Sequence, residues 1–324
     1  MTRRVRIVFS AGKSRMKRGF MQNISELIAL YRDCFPYLTR SEDVVRGIFR
    51  RASTKVIAIR NDDGELTAAS VFGGGTVYML AVKKEYRNRG IGSKLLSDTE
   101  ALMKTSGVKR AVIGVGDDYI APGVPTSVMP FYEEQLSASV DAGLTDEAAR
   151  FFSRRGYVHS WKGCNCFDMR ARPADLPRKA QANNPDGDSL SLRFAAKGDR
   201  EAVCSMVRNA YQSFLEYYED EAIYGKTPEG RAAIAETDGK IVGAVLVSLN
   251  EEAKGIGSVG CTAVLPEYRS RNIASRLVLF GTDYLWEHGM AEAFVGYTYS
   301  GLQNLYGKAG YKISAYYFMA EKEL

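Results

Sequence analysis

Apolar residues recur every three or four positions in two stretches of this chain, and the two stretches share one pattern. The first predicts a helix that begins near Ile91 and stops at Gly107, and the second predicts a helix that begins near Ile273 and stops at Gly289. A glycine after such a stripe favours the left-handed backbone that terminates helices. The matching positions are Ile91 and Ile273, Leu95 and Leu277, Leu96 and Val278, Leu102 and Tyr284, and Met103 and Leu285.

The segment in front of each helix is repeated as well. Residues 85–93 read EYRNRGIGS and residues 267–275 read EYRSRNIAS, at an offset of 182 (267 − 85). Each half also predicts the same order of elements: an opening strand, helices, a hairpin with an Asp-Gly turn, a buried strand, the repeated segment with its helix, a further strand, and a closing helix and strand. This agreement indicates an internal duplication.

A stretch without apolar periodicity separates the two halves. Residues 172–189 are rich in Pro, Asn, Asp and Ala, which is typical of a linker. We therefore predict domains at 1–175 and 190–324, joined by a linker at 176–189. The closing helices end at Gly156 and Gly310, an offset of 154 (310 − 156), so the first half carries about 28 extra residues (182 − 154) at about 117–144. Insertions of this length in compact domains are commonly functional loops.

Composition and charge narrow the classes of protein to consider. The 324 residues are 45% hydrophobic and 25% charged, which is typical of globular domains. The formal net charge of +6 is unevenly placed, because seven Lys and Arg residues precede the first acid, Glu26. This basic segment, residues 3–18, suits an anionic partner such as phosphate, CoA or RNA, or is a solvated surface.

The cysteines and the apolar runs bear on metal binding and location. Five scattered cysteines include one C-x-C pair and no C-x-x-C pair, so we expect no zinc or other metal. An odd cysteine count fits a reducing compartment. No apolar run approaches the roughly 18 residues needed to span a membrane, and the N-terminus lacks the apolar block of a secretory signal. We expect a cytoplasmic protein, with a transit peptide as the alternative.

The repeated segment of the first half has the features of a diphosphate-binding loop. Gly90 and Gly92 permit positive φ and allow phosphate oxygens to approach the backbone closely. The helix that begins at Ile91 presents unpaired N–H groups and the positive end of its dipole. Arg87 and Arg89 can add charge-assisted hydrogen bonds. The pattern predicts an anion site at the start of this helix.

At these residues the chain resembles the GNAT superfamily of acyl-CoA-dependent N-acyltransferases. The family's pyrophosphate loop reads Arg/Gln-x-x-Gly-x-Gly/Ala after a strand that ends in an apolar-x-Val pattern, and residues 87–92 and 79–82 fit both. The resemblance covers both halves. It implies an α/β (α+β layered) fold of two tandem GNAT domains, each a twisted mixed β-sheet flanked by helices.

The resemblance also implies a co-substrate, acetyl-CoA or another acyl-CoA, and the residues that bind it. The backbone of the strand end would pair with the pantetheine arm, and the loop would hold the diphosphate. The implied cofactor-binding residues are Leu80, Ala81, Val82, Arg87, Asn88, Arg89, Gly90, Ile91, Gly92 and Ser93.

The second copy departs from the family pattern at two positions. Asn272 stands at the position of Gly90, and Ala274 stands at the position of Gly92. Asn tolerates the left-handed backbone, but close approach of a diphosphate is less favoured there. We therefore expect the acyl-CoA site in the first copy and a structural role for the second loop.

Acyl transfer to an amine needs a neutral amine, a donor to the oxyanion and a proton for the departing thiolate. In the family a strand N–H, here near Ala81 or Val82, meets the oxyanion, and a tyrosine of the closing helix protonates the thiolate. That position is Tyr306 in the second copy but Phe152 in the first. Three sources of the acid thus stay open: the insertion, water, or a working second site. The candidate acids are Tyr119, Tyr132 and Tyr306, and the candidate bases are Asp117, Glu133 and His159.

The sequence therefore predicts an N-acyltransferase of the acetyltransferase type, which acts on the amine of a small metabolite or antibiotic-like acceptor by direct transfer in a ternary complex. A first alternative is an aminoacyl-tRNA-dependent transferase of tandem-GNAT fold, for which the basic segment would bind tRNA. A second alternative is a non-catalytic CoA-binding module, because Phe152 lacks the phenol and the second loop is altered. The oligomeric state is not predicted.

Overall fold

The computed structural model describes residues 6–8, 17–36, 42–51, 53–114, 120–126, 147–160, 164–175, 190–225 and 230–324. The chain divides into two units, one made of Met1–Cys166 with Tyr316–Leu324 and the other of Phe167–Ala315. Two mixed β-sheets with flanking helices make up these units, so the predicted fold class is confirmed.

Seven strands form the first sheet. They are β1 (Arg6–Val8), β2 (Lys55–Arg60), β3 (Leu66–Gly73), β4 (Thr76–Val82), β5 (Arg110–Ile113), β7 (Val158–His159) and β15 (Ala320–Glu323). Their order is β1-β2-β3-β4-β5-β15-β7, antiparallel except for the parallel pair of β4 and β5. The helices of this unit are α1 (Lys17–Cys34), α2 (Glu42–Phe49), α3 (Ile91–Thr105) and α4 (Glu147–Ser153).

Eight strands form the second sheet. They are β6 (Val124–Thr126), β8 (Cys166–Ala171), β9 (Ser191–Phe194), β10 (Gly230–Thr237), β11 (Lys240–Ala253), β12 (Ile256–Val264), β13 (Glu292–Tyr299) and β14 (Lys312–Phe318). Their order is β6-β14-β8-β13-β12-β11-β10-β9, with β12 and β13 parallel. The α-helices after β9 are α5 (Arg200–Tyr211), α6 (Leu215–Tyr218), α7 (Ile273–Glu287) and α8 (Gln303–Gly307). The two predicted stripe helices, α3 and α7, thus begin at the predicted residues.

Strands β8 and β15 belong to the sheet of the opposite half of the chain. The last strand, β15, lies between β5 and β7, and β8, which follows the first half, lies between β14 and β13. In the first sheet Ala320 is opposite Ile113, and Lys322 Nζ bonds the Glu100 carboxylate at 2.9 Å. The bounds 1–175 and 190–324 stay a prediction, and each unit contains a strand from the other half of the chain. The reason is that strand pairing, and not proximity along the chain, decides which sheet takes a strand.

Helices cover both faces of the first sheet. On one face Leu95 of α3 shares an apolar cluster with Phe72 of β3. On the other face Ile24 of α1 and Val45 of α2 share a cluster with Val71 of β3. Every residue of β3 is buried, as expected for a strand covered on both faces.

A β-bulge in β4 positions the candidate site. Val71 of β3 is opposite Met79, whereas its neighbour Phe72 is opposite Val77, so Tyr78 is the extra residue. On its other edge β4 pairs with β5 at Thr76 and Val77. Within the described residues, no strand pairs with that edge of β4 beyond Val77. The backbone N–H and C=O groups of the last part of β4 are thus left for another partner.

The exchange of strands predicts how the protein responds to cleavage in the linker. We expect a chain with a protease site inserted at 176–189 to remain one particle after cleavage, because each fragment supplies a strand to the other fragment's sheet. Size-exclusion chromatography under native conditions should give a single peak that contains both fragments, and denaturant should separate them. Separation of the fragments without denaturant would contradict the exchange, and the uncleaved chain is the control.

Candidate active site

The loop in front of α3 has a backbone shaped to receive an anion. Asn88 and Gly90 adopt left-handed conformations with φ of 57° and 76°. The first backbone bond of α3 runs from the Lys94 N–H to the Gly90 carbonyl at 3.0 Å. The N–H groups of the preceding helical residues, 91–93, therefore have no acceptor within the helix. Together with the helix dipole, they favour an anionic ligand at this end of α3.

The side chains of the two arginines of this loop contact different partners. Arg87 Nε donates to the Val82 carbonyl at 3.0 Å, so its side chain fixes the junction between β4 and the loop. Arg89 lies with its guanidinium carbon 5.5 Å from the centroid of the Tyr86 ring and is exposed. Arg89 is thus available to an anion, whereas Arg87 is already engaged by the backbone.

A cavity of about 660 Å³, part of it open to solvent, lies where β4 and β5 diverge. Its walls come from α1, β4, the end of β5, residues 120–125 and α4. Most of the lining is apolar, and it includes the two tyrosines Tyr31 and Tyr78. Phe152 lines it as well, at the position where the second copy has a tyrosine. The loop of residues 87–92, called the anion loop below, follows β4 after one short turn at Lys84–Tyr86, so one strand leads from the cavity towards the loop.

The loop of the second copy keeps the same backbone despite its different residues. Ser270 and Asn272 adopt φ of 62° and 57°, and the Arg276 N–H bonds the Asn272 carbonyl at 3.0 Å. Arg269 Nε donates to the Val264 carbonyl at 3.2 Å, as Arg87 does in the first copy. The replacement of glycine by Asn272 therefore leaves the turn intact, because Asn accepts the left-handed conformation.

The strands beside this second loop diverge too, but side chains of the protein occupy their polar groups. β12 pairs with β13 over Ile256–Ser258, and both strands continue beyond that point. The Tyr218 hydroxyl donates to the Cys261 carbonyl at 2.8 Å, and the Tyr297 N–H donates to Asp168 Oδ1 at 2.9 Å. Tyr218 is fully buried, and burial raises its pKa well above the usual range. One carbonyl of β12 and one N–H of β13 are thus bonded by side chains of the protein at the gap of the second sheet.

Sequence comparisons match both copies to one family. The Acetyltransferase (GNAT) domain model matches residues 52–159, and the Acetyltransferase (GNAT) family model matches residues 200–311. The chain belongs to the GNAT family. Two GNAT domains in tandem make it a tandem GNAT N-acyltransferase. Comparison with curated proteins gave no match.

Solved structures of GNAT proteins share this fold over nearly the whole chain. The tandem GNAT protein from the clavulanic acid biosynthesis pathway has 17% identity and a TM-score of 0.61, with 94% of this chain and 95% of that chain covered. A GCN5-related N-acetyltransferase from Sphaerobacter thermophilus has 16% identity and a TM-score of 0.60, with 93% of each chain covered. A fungal multi-domain GH3 β-N-acetylglucosaminidase with a GCN5-related glucosamine N-acetyltransferase region has 15% identity and a TM-score of 0.67, with 99% of this chain but only 38% of that chain covered. At these identities the likeness shows the fold.

The described residues fit the co-substrate that the GNAT family uses. The loop offers N–H groups for a diphosphate, and the space where a Cβ would stand on Gly90 is empty of other atoms within 4 Å. The residues assigned to acyl-CoA from the sequence lie in one run from the end of β4 through the loop to the first turn of α3. Their individual roles stay predictions.

The structure describes two of the six catalytic candidates from the sequence, Tyr306 and His159. Asp117, Tyr119, Tyr132 and Glu133 lie outside the described residues, so their roles stay predictions. Tyr306 is buried at 5% exposure, and burial raises its pKa while the adjacent Thr262 hydroxyl acts in the opposite direction. Two phenols that the sequence analysis did not single out, Tyr31 and Tyr78, line the cavity instead. The bulge that includes Tyr78 depends on strand register, which no local motif in the sequence indicates.

His159 has backbone partners at both ring nitrogens. The Met319 N–H donates to Nδ1 at 3.1 Å, and Nε2 lies 3.1 Å from the Cys164 carbonyl, to which it donates in the neutral ring. Burial lowers the pKa of His159, and the bond to the Cys164 carbonyl acts in the opposite direction. These contacts tie β7 to β15, which is a structural use of the ring. Its assignment as a base stays a prediction.

The described residues contain no candidate metal site and no candidate membrane span. Within them, no group of three or more His, Cys, Asp and Glu side chains is placed to hold a metal ion. Nor does any helix in those ranges have the length and apolar character needed to cross a bilayer. All five cysteines carry thiols and form no disulfide.

The difference between the two GNAT loops gives a test of which copy binds acyl-CoA. A Cβ at Gly92 would lie 3.5 Å from the Phe151 ring, so a tryptophan there must project over the loop. We expect Gly92→Trp to weaken acetyl-CoA binding about 100-fold or more, a loss of about 3 kcal/mol, measured by calorimetric titration.

The matched control is Ala274→Trp, at the same position of the second copy. We expect it to leave acetyl-CoA affinity within about twofold of the unmodified protein, and thermal unfolding should show that both variants are folded. Equal losses in the two variants would mean that the first loop is not the principal site.

Proposed function

We propose that the N-terminal unit binds acetyl-CoA or a related acyl-CoA and transfers the acyl group to the amine of a small-molecule acceptor. The observation that carries the proposal is the difference between the two strand gaps. The gap beside β4 opens into a cavity of about 660 Å³, whereas the gap beside β12 is bridged by Tyr218 and Asp168. An incoming thioester therefore meets a strand edge that no described strand covers in the first unit, and in the second unit it meets a carbonyl and an N–H that Tyr218 and Asp168 already bond.

The transfer itself is a direct displacement in a ternary complex. The acceptor nitrogen attacks the thioester carbonyl, a C–N bond forms and the C–S bond breaks. The oxyanion formed in this step would accept a hydrogen bond from a backbone N–H of β4 near Ala81 or Val82, on the edge that no described strand covers. The amine loses its proton to a base, for which Asp117 and Glu133 are the proposed candidates, directly or through water.

The departing thiolate needs a proton, and the cavity wall supplies a phenol for it. Phe152 cannot donate one, although it occupies the position of the family tyrosine. Tyr78 is half-buried on the bulge of β4 and lines the cavity, so its hydroxyl can exchange protons with solvent between turnovers. Tyr31 also lines the cavity but is almost fully buried, at 4% exposure. We therefore assign the proton donor to Tyr78.

The C-terminal unit has a structural role in this proposal. Its loop keeps the family backbone, but the polar groups beside the loop are satisfied by its own side chains. The strand β15 that completes the first sheet comes from the end of the chain. The second copy thus supports the first copy by supplying strand β15 to the first sheet.

The acceptor class is inferred from the descriptions of similar proteins, and the location is inferred from the cysteines. The clavulanic acid pathway protein and the glucosamine N-acetyltransferase region, by their descriptions, belong to small-molecule chemistry. We propose an acceptor of this kind, a metabolite or antibiotic-like amine. Five cysteines without a disulfide are compatible with a reducing compartment, so we propose the cytoplasm. No observation favours tRNA, and most of the basic segment 3–18 lies outside the described residues.

Calorimetric titration of the purified protein with acetyl-CoA tests the proposal. We expect saturable binding at one site per chain, and release of free CoA when a panel of small amines is added. Charged tRNA, titrated over a range of salt concentrations, is the control for the alternative donor. Salt-sensitive binding of aminoacyl-tRNA without binding of acetyl-CoA would contradict the proposal, as would acetyl-CoA binding without turnover on any amine.

The assignment of Tyr78 predicts a kinetic effect. We expect Tyr78→Phe to lower kcat about 100-fold while KM for acetyl-CoA changes little, because general acid catalysis contributes in the transition state and not in binding. Tyr31→Phe is the matched control and should retain most of kcat. An unchanged kcat in Tyr78→Phe would assign the proton to water or to the insertion.

A further inference from the structure

Arg155 occupies an unusual place beside the anion loop. It is the second residue after α4 and lies within the turn that Gly156 ends with a φ of 86°. Its guanidinium carbon is 3.8 Å from the centroid of the Phe151 ring. Nη2 donates to the Ser93 hydroxyl at 2.5 Å, and Nη1 donates to the Phe151 carbonyl at 2.7 Å. Because Ser93 is in the first turn of α3, the guanidinium lies at the helix end where the anion loop presents its N–H groups.

The charge of this side chain has no acidic partner within the described residues. An arginine has five N–H donors, of which these two contacts use two. Both partners are neutral, and no carboxylate among the described residues pairs with the guanidinium. A cation at a helix N-terminus also opposes the helix dipole, which is a destabilising arrangement in the absence of an anion. Arg89 adds an exposed cation to the same loop.

The guanidinium is nevertheless held in a fixed position. Stacking on Phe151 and two hydrogen bonds restrict the rotamers of a side chain that is otherwise flexible. The same Phe151 ring lies 3.5 Å from the place where a Cβ would stand on Gly92, so the stack borders the glycine that the loop requires. A fixed cation beside the N–H groups of the loop is suited to a phosphate group.

The second copy lacks this arrangement. Ala309 stands at the position of Arg155, Leu305 stands at the position of Phe151, and Ser275 corresponds to Ser93. The cation that approaches the second loop is Lys308, whose Nζ bonds the Asn272 side chain at 3.2 Å. The two loops share a backbone, so the stacked arginine is a side-chain difference between them that bears directly on anion binding.

We propose that Arg155 binds a phosphate group of the co-substrate and is a determinant of acyl-CoA affinity in the first copy. This inference rests on the proposed function, because the ligand is the acyl-CoA assigned there. The phosphate belongs either to the diphosphate or to the 3′-phosphate of the ribose, since both carry the charge that a guanidinium recognises. Phe151 acts as the platform that positions Arg155, and Ser93 holds the outer edge of the guanidinium.

Calorimetric titration with CoA and with 3′-dephospho-CoA tests this assignment and separates the two phosphates. We expect Arg155→Gln to raise the Kd for CoA about tenfold. If the Kd for 3′-dephospho-CoA rises as well, Arg155 binds the diphosphate. If only the Kd for CoA rises, Arg155 binds the 3′-phosphate. Either result supports the proposal, and Arg155→Lys, which keeps the charge, should recover part of the affinity.

Arg154→Gln is the matched control, because Arg154 is the exposed neighbour on the same turn. The Arg154→Gln variant should change neither Kd by more than about twofold. This result would exclude a general effect of net charge. Thermal unfolding should show that the variants are folded. Equal Kd values for Arg155→Gln and the unmodified protein, or equal losses in the Arg154 and Arg155 variants, would overturn the assignment. If the unmodified protein binds no CoA, the proposed function fails instead.

Discussion

The early end of the parallel ladder between β4 and β5 is the constraint on which the rest of the active site depends. After Val77, one edge of β4 has no neighbouring strand within the described residues. Backbone N–H and C=O groups cannot remain buried without partners at low cost. In the first unit the bulge at Tyr78 and the adjacent cavity leave these groups for a substrate. In the second unit Tyr218 meets the equivalent requirement from within the protein.

The exchanged strands show how the first unit obtains a complete sheet. β15 pairs with β5 and β7, and His159 accepts a hydrogen bond from the Met319 N–H just before that strand begins. The Lys322 and Glu100 side chains join the same strand to α3, the helix that begins at the anion loop. The last residues of the chain therefore support the helix that follows the loop of the first half. A duplicated chain in which each half kept its own strand would lack this dependence.

Local patterns in the sequence predicted where the helices and the loop lie, but they did not predict which strands pair with each other. The apolar stripes located α3 and α7, and the motif of residues 87–92 located the anion loop, because helix periodicity and glycine backbone preferences act over a few residues. The position of β15, the bulge at Tyr78 and the bond from Tyr218 to Cys261 depend on residues far apart in the chain. Strand partners are chosen by the whole sheet, so none of these three features could be predicted from a local motif.

The two loops show that residue identity at the glycine positions is a weak measure of which copy works. Asn272 adopts nearly the φ of Gly90, and both helices begin with the same backbone bond. What differs is the surroundings: Phe151 and Arg155 border the first loop, whereas Leu305 and Ala309 stand at those positions in the second. Binding of a phosphate requires charge as well as shape. A loop that has kept its shape without the stacked arginine is therefore expected to fold normally and to bind poorly.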